Sequence, residues 1–114
     1  MDDAVERVFM DALRDLGWPV SQPPGLAENE TYLTFNPIAG DARTAGNEAT
    51  RIRHMVQLHA WSRADNGDHR TAFFAAADAL RRAGVKIWSW GPDTYEPDTG
   101  IHHIACTCVW WQKD

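Results

Sequence analysis

The chain is poor in the features that announce chemistry. Its 114 residues include only two cysteines and two tyrosines, and 11 basic residues are outnumbered by 16 acidic ones. A net charge of −5 argues against a protein that tracks phosphates through a dense basic surface, so no direct nucleic-acid binding is expected. No apolar run approaches the roughly eighteen residues of a membrane helix. The opening MDDAVERVF is acidic where a secretion signal is basic. A soluble cytoplasmic product without a membrane partner is expected.

Catalytic signatures are equally scarce. There is no glycine-rich phosphate loop, no nucleophile elbow and no HExxH, and Gly40-Asp41-Ala42 reads only as part of a loop. Acid pairs such as Asp93 with Glu96, or Asp65 with Asp68, fall at turns, where carboxylates face water and cap helices. No catalytic residue and no cofactor is assigned. The sharpest chemical alternative is a metal site in His102-His103-x-x-Cys106-x-Cys108, where His102, Cys106 and Cys108 share one face of a strand. His54 or His59 from a neighbouring strand would complete a tetrahedral nitrogen and sulfur set. Same-face residues on a strand step apart by roughly 6 to 7 Å, however, and diverge from a common ion. No metal ligand is therefore assigned. The two cysteines read as reduced, buried small hydrophobes too badly aligned to bridge.

What the chain does have is strong patterning. In Arg51 to Arg63, Ile52, His54, Val56, Leu58, Ala60 and Ser62 alternate with Arg51, Arg53, Met55, Gln57, His59 and Trp61. Period-two alternation of this length predicts a strand with one apolar face and one mixed face. Met, Trp and Arg on the mixed face are residue types enriched where chains meet. Before it, Val5, Val8, Phe9, Ala12, Leu13 and Leu16 recur at helical spacing, stopped by Gly17 and Pro19. Residues 20 to 30 read as an irregular connection and Thr31 to Phe35 as a strand stopped by Asn36-Pro37. Pro37 to Ala49 reads as a long loop.

After the long strand, Asp68 is expected to cap a helix whose apolar positions Phe73, Ala77 and Leu80, joined by Phe74 and Ala76, form a core stripe ending at Gly84. Val85 to Glu96 should then pair with Ile101 to Gln112 around Pro97-Asp98-Thr99-Gly100. The order helix, strand, strand, helix, strand, strand predicts an α+β fold: a mostly antiparallel four-stranded sheet with two helices packed on one face. At this length one hydrophobic core is expected, and residues 1–114 are read as a single domain.

These elements carry a resemblance. Tyr32-Leu33-Thr34-Phe35, then Met55-Val56-Gln57-Leu58-His59-Ala60-Trp61-Ser62-Arg63, a polar turn, an alanine-bearing helix with Leu80, and a last strand entered through Tyr95-Glu96-Pro97-Asp98-Thr99-Gly100 resemble the tail-completion and tail-terminator proteins of long-tailed bacteriophages. The resemblance spans roughly Thr31 to Gln112. It implies a structural protein of a virion or prophage, a ring subunit in a commonly hexameric homo-oligomer. Such a ring caps or completes the tail tube and joins it to the head. Its implied partners are further copies of itself, the tail-tube protein and the head-connector protein. Its implied location is the virion tail, reached from the host cytoplasm during assembly. A small non-catalytic binding or adaptor domain is the second reading, and a metal-dependent enzyme the last.

The candidate interface residues are Arg51, Arg53, Trp61, Arg63 and Trp110. The tryptophans, at 18, 61, 88, 90, 110 and 111, outnumber what one small core usually needs. Trp110 and Trp111 must face opposite sides of their strand, and an exposed tryptophan favours an interface. For the arginines a solvated face is the competing reading, their exposed ion pairs being worth little each. Trp88 and Trp90, which share a face, are expected to pack beneath the helices, with an interface as the second reading.

Overall fold

In a computed structural model, residues 4–21, 30–45 and 48–113 are described. Helix α1 (Ala4–Leu13) continues as a 3-10 turn over Arg14–Leu16, and Gly17 ends it in the left-handed region at φ 101°. Strands β1 (Val20–Ser21), β2 (Thr31–Ala45) and β3 (Glu48–Ser62) follow, then helix α2 (Asp68–Arg82) and strands β4 (Lys86–Trp90), β5 (Thr94–Glu96) and β6 (Ile101–Lys113). They form one six-stranded sheet of order β1-β2-β3-β6-β4, with β5 also against β6. The fold is α+β with two helices, as expected from the sequence.

The sheet itself differs from the expectation of four mostly antiparallel strands. It has six strands and is mixed, because β1 runs parallel to β2, with Val20 beside Leu33 and Ser21 beside Thr34. A two-residue strand beside prolines carries no periodicity to read. The predicted pairing partner of β6 is split in two as well. β4 and β5 both pair with β6, separated by Gly91, whose φ of 104° turns the chain out of β4.

A larger correction concerns Pro37 to Ala49, read as a loop. Residues through Ala45 continue β2, and Glu48 to Ala49 begin β3, so the two strands form a hairpin of fifteen residues a side. Alternation is missing there because no helix covers this end of the sheet, so neither face requires apolar residues. Backbone pairing alone maintains the ladder. Pro37 is accommodated by a register shift between Pro37 and Ala39, the kind of irregularity where a strand tolerates a residue without an N–H. The molecule is consequently elongated, 52 × 25 × 24 Å.

The core lies between the helices and one sheet face. Phe9 and Leu13 of α1 and Phe73, Ala76 and Leu80 of α2 pack on Leu33, Phe35, Val56, Leu58, Ala60, Ile104, Cys106 and Cys108. The predicted apolar face of β3 is this buried one. Register explains the set: Leu58 pairs with both Phe35 and Cys106, and Ala60 with Leu33 and Ile104, so the three strands present apolar side chains in rows. Phe9 stacks on Phe35 at 5.1 Å between ring centroids. At the start of α2, Gly67 rather than Asp68 occupies the capping position, and Arg70 and Thr71 donate their backbone N–H to its carbonyl. Asp68 is the first helical residue, where its charge suits the helix dipole. The other end closes as expected: Val85 donates to the Leu80 carbonyl at 2.9 Å around Gly84 at φ 91°.

Trp88 and Trp90 are not beneath the helices. They are 54% and 55% exposed, because a register shift between Ile87 and Ser89 breaks the alternation of β4 and the strand lies at the sheet edge. Truncating the stacked pair at the centre of the core, Phe35→Ala, should lower unfolding free energy by roughly 3 to 5 kcal/mol. Equilibrium urea denaturation measures the loss; a drop below about 1 kcal/mol would contradict the packing described.

Candidate interaction surface

Opposite the helices, the sheet presents the odd-numbered residues of β3 beside their partners. Tyr32 and Thr34 of β2, His59 and Trp61 of β3 and His103 of β6 form one cluster on this face. Trp61 stacks on His103 at 3.9 Å and donates its indole N–H to Thr34 Oγ1 at 2.9 Å. His59 Nδ1 and His103 Nε2 are 2.7 Å apart. At that distance one ring donates an N–H and the other accepts. Burial, then the charge of His103, brings His59 from 6.5 down to about 4, and burial likewise lowers His103.

A second polar group sits where α2 begins. His69, almost fully buried, places Nε2 at 2.8 Å from Asp93 Oδ1, and Arg70 donates to the other carboxylate oxygen. Burial pushes the Asp93 carboxyl up, but the hydrogen bonds from Arg70 and His69 outweigh it and hold the group below the usual carboxylate range. His102 stacks on His69 at 4.8 Å and meets Asp65 Oδ1 at 2.9 Å. These contacts tie the helix start to the β4–β5 connection and to β6.

The proposed metal constellation is not brought together. Cys106 and Cys108 face the core with sulfurs 3.7 Å apart, unbridged. The adjacent Cys106 sulfur, with burial, pushes the Cys108 thiol up and keeps it protonated. His59 lies on the opposite sheet face, His54 engages Gln112 at 2.8 Å, and His102 is turned to Asp65. Among the described residues no three metal-ligating side chains converge. A shallow hollow lined by Gln57, Ser89, Gly91, Cys106 and Thr107 has no base among its lining residues beside Ser89 or the Cys106 thiol.

The five candidate interface residues fall at three separate places. Arg51 is exposed near the far end of β3, its guanidinium 4.6 Å from the Trp111 ring, and Arg53 is partly buried two residues on. Trp61 belongs to the imidazole cluster. Arg63 is exposed just past β3, its backbone N–H donated to the Glu30 carbonyl at 2.8 Å. Trp110 lies on the helix side, packed against the core and stacked on His54 at 5.5 Å. Sequence reasoning gave the edge, with Trp88 and Trp90, only second place as an interface. There Trp88, Trp90 and Tyr95 are each more than half exposed, and Trp90 is edge-on at 5.3 Å to Phe74, which is exposed at 44% rather than part of the core stripe expected of α2. Four exposed apolar side chains gathered at one edge mark a surface made to be covered. The Gly91-Pro92 break after KIWSW was the available signal.

The family described as tail completion protein gp17 matches residues 7–113 of this sequence. No curated protein sequence matches the chain. Among solved structures, a chain of the "Virion of native gene transfer agent (GTA) particle" has a similar fold at a TM-score of 0.62. It is 16% identical, and the match covers 98% of this chain and 87% of that one.

The imidazole pair generates a pH dependence. Unfolded, His59 takes a proton near 6.5; folded, only near 4. Between those values the unfolded chain binds more protons, so the contribution is complete above about 6.5 and is lost as pH falls towards 4. With partial solvent access discounted, the loss is roughly 1 to 2 kcal/mol. Melting temperature should therefore fall on acidification from pH 7 to 4.5, and less steeply in His59→Gln. An identical slope in the variant would remove His59 as the cause.

Proposed function

The chain belongs to the tail completion protein gp17 family, and on that premise we propose that it works as a ring subunit that closes the end of the phage tail tube and joins it to the head. It is a structural protein of the phage tail. The finer reading is supported chiefly by the sheet's two outermost strands. β4 has no partner beyond it, and β1 covers only Leu33 and Thr34 of β2, so among the described residues both sides of the sheet end in open backbone. An open strand edge is a template for another chain. Two different open edges on one subunit favour a head-to-tail contact, which closes into a ring where the rotation permits.

In this reading the 114 residues act as one unit, partnering with copies of themselves in a ring, hexameric as in the family resemblance. The tail-tube protein lies on one ring face and the head-connector protein on the other. Assembly takes place in the host cytoplasm before the subunit resides in the virion. The role is geometric and non-enzymatic. Arg51, Arg53, Trp61, Arg63 and Trp110 are proposed interface residues. Arg51 and Arg63, the exposed members, would touch a neighbour directly, while the part-buried ones would shape the surface.

A phage lacking this gene should accumulate heads and tails that do not join, and added purified protein should restore infectious particles. Joined, infectious particles without the protein would overturn the reading. In the same complementation, Arg63→Ala should lose more than about tenfold in activity, as expected for a contact arginine, while stability changes by no more than about 0.5 kcal/mol. Full complementation by this variant would remove Arg63 from the interface.

A further inference from the structure

Beyond Pro37, Val56 and Cys108 the sheet continues without helices as a three-stranded arm made of the far parts of β2, β3 and β6. Its register aligns Arg43 with Arg51, and Arg51 with Lys113. Three basic residues therefore stand in one row across three strands. Like charges directly opposite each other destabilise a sheet. Counting Arg53 with them against Asp41 and Glu48, the arm holds four basic and two acidic residues, an excess of two positive charges. The whole chain carries −5, so the remainder carries −7.

The other side of the sheet has the opposite character. β4 and β5 lie in line along the outer side of β6 and expose Trp88, Trp90 and Tyr95. Asp93, Glu96 and Asp98 fall in the same short stretch. Asp93 is engaged by Arg70 and His69, whereas Glu96 and Asp98 are exposed.

We propose that the arm of one copy docks along the β4/β5 edge of a second copy of this chain, with the cation row of the arm against Glu96 and Asp98 and the edge aromatics covered by the arm. The proposal rests on the ring reading above and names the two surfaces of its subunit contact. Charge complementarity selects the occupant. The arm and the edge are opposite in sign and unlike each other, which suits a head-to-tail contact rather than a two-fold one. Duplex DNA is the other polyanion a cation row could meet. It leaves the aromatic edge uncovered and must approach a chain of strongly negative total charge.

The experiment is a charge swap in the full chain, read by sedimentation velocity across a wide range of concentration. One variant carries Arg43→Glu and Arg51→Glu; the other carries Glu96→Lys and Asp98→Lys. Each alone should self-associate more than about tenfold more weakly than the parent, because like charges then face each other. An equimolar mixture should recover association, since each reversed surface then finds its opposite. Circular dichroism melting checks the fold; should the arm variant not fold, the edge variant still decides, its positions being exposed beside a turn. Undiminished association of the folded variants, failure of the mixture to recover, or a parent that stays monomeric throughout would each overturn the proposal. So would duplex DNA that binds the parent and not the arm variant while self-association is unchanged. Complementation of the gene deletion is read independently of all these, so the arm contact can fail while the tail-joining reading stands.

Discussion

The central strand β3 constrains everything else in this protein. It is hydrogen-bonded along nearly its whole length to β2 on one side and β6 on the other, so its alternation fixes which face of three strands is apolar. A slip of one residue would send Val56, Leu58 and Ala60 to the open side and Gln57 and His59 under the helices. The rows Phe35-Leu58-Cys106 and Leu33-Ala60-Ile104 are what α1 and α2 pack against. Once that face is buried, the other face has no choice of residues to present. Its mixed character, with Trp61 lying over the imidazole pair, follows from the same register.

This dependence explains what was legible in the sequence. Where a helix covers the sheet, burial imposes a period, and the period was readable: Val5 to Leu16, Val56 to Ser62 of β3, the α2 stripe and the apolar face of β6, whereas the partner read for β6 over Val85 to Glu96 is two edge strands. Where nothing covers it, burial imposes nothing. Pro37 to Ala45 and Glu48 to Ala49 form strand by backbone bonding alone, and small polar residues there carry no trace of it. β1 is two residues long and owes its parallel pairing to the course of the chain around it. Trp88 and Trp90 were misplaced because one register shift in a five-residue strand cancels an alternation argument.

The surface was less legible than the fold, for a related reason. A core position is identified by its own chain's period, whereas a surface cluster depends on cross-strand neighbours far apart in sequence. His59 and His103 meet only because β3 and β6 pair in one register, forty-four residues apart. The three places to which Arg51, Trp61 and Trp110 belong could be separated only once that register was known. Family membership makes the chain a structural protein of the phage tail, and the register shows where its backbone edges stay open.

The two sulfurs in the core carry one more consequence. Cys106 and Cys108 are the chain's only cysteines, both buried, and they sit in the rows where β3, β6 and the helices meet. No surface thiol competes with them for a modifying reagent. The rate at which a thiol reagent reacts is then a measure of how often this one region opens to solvent. The subunit thus contains its own clock for core opening.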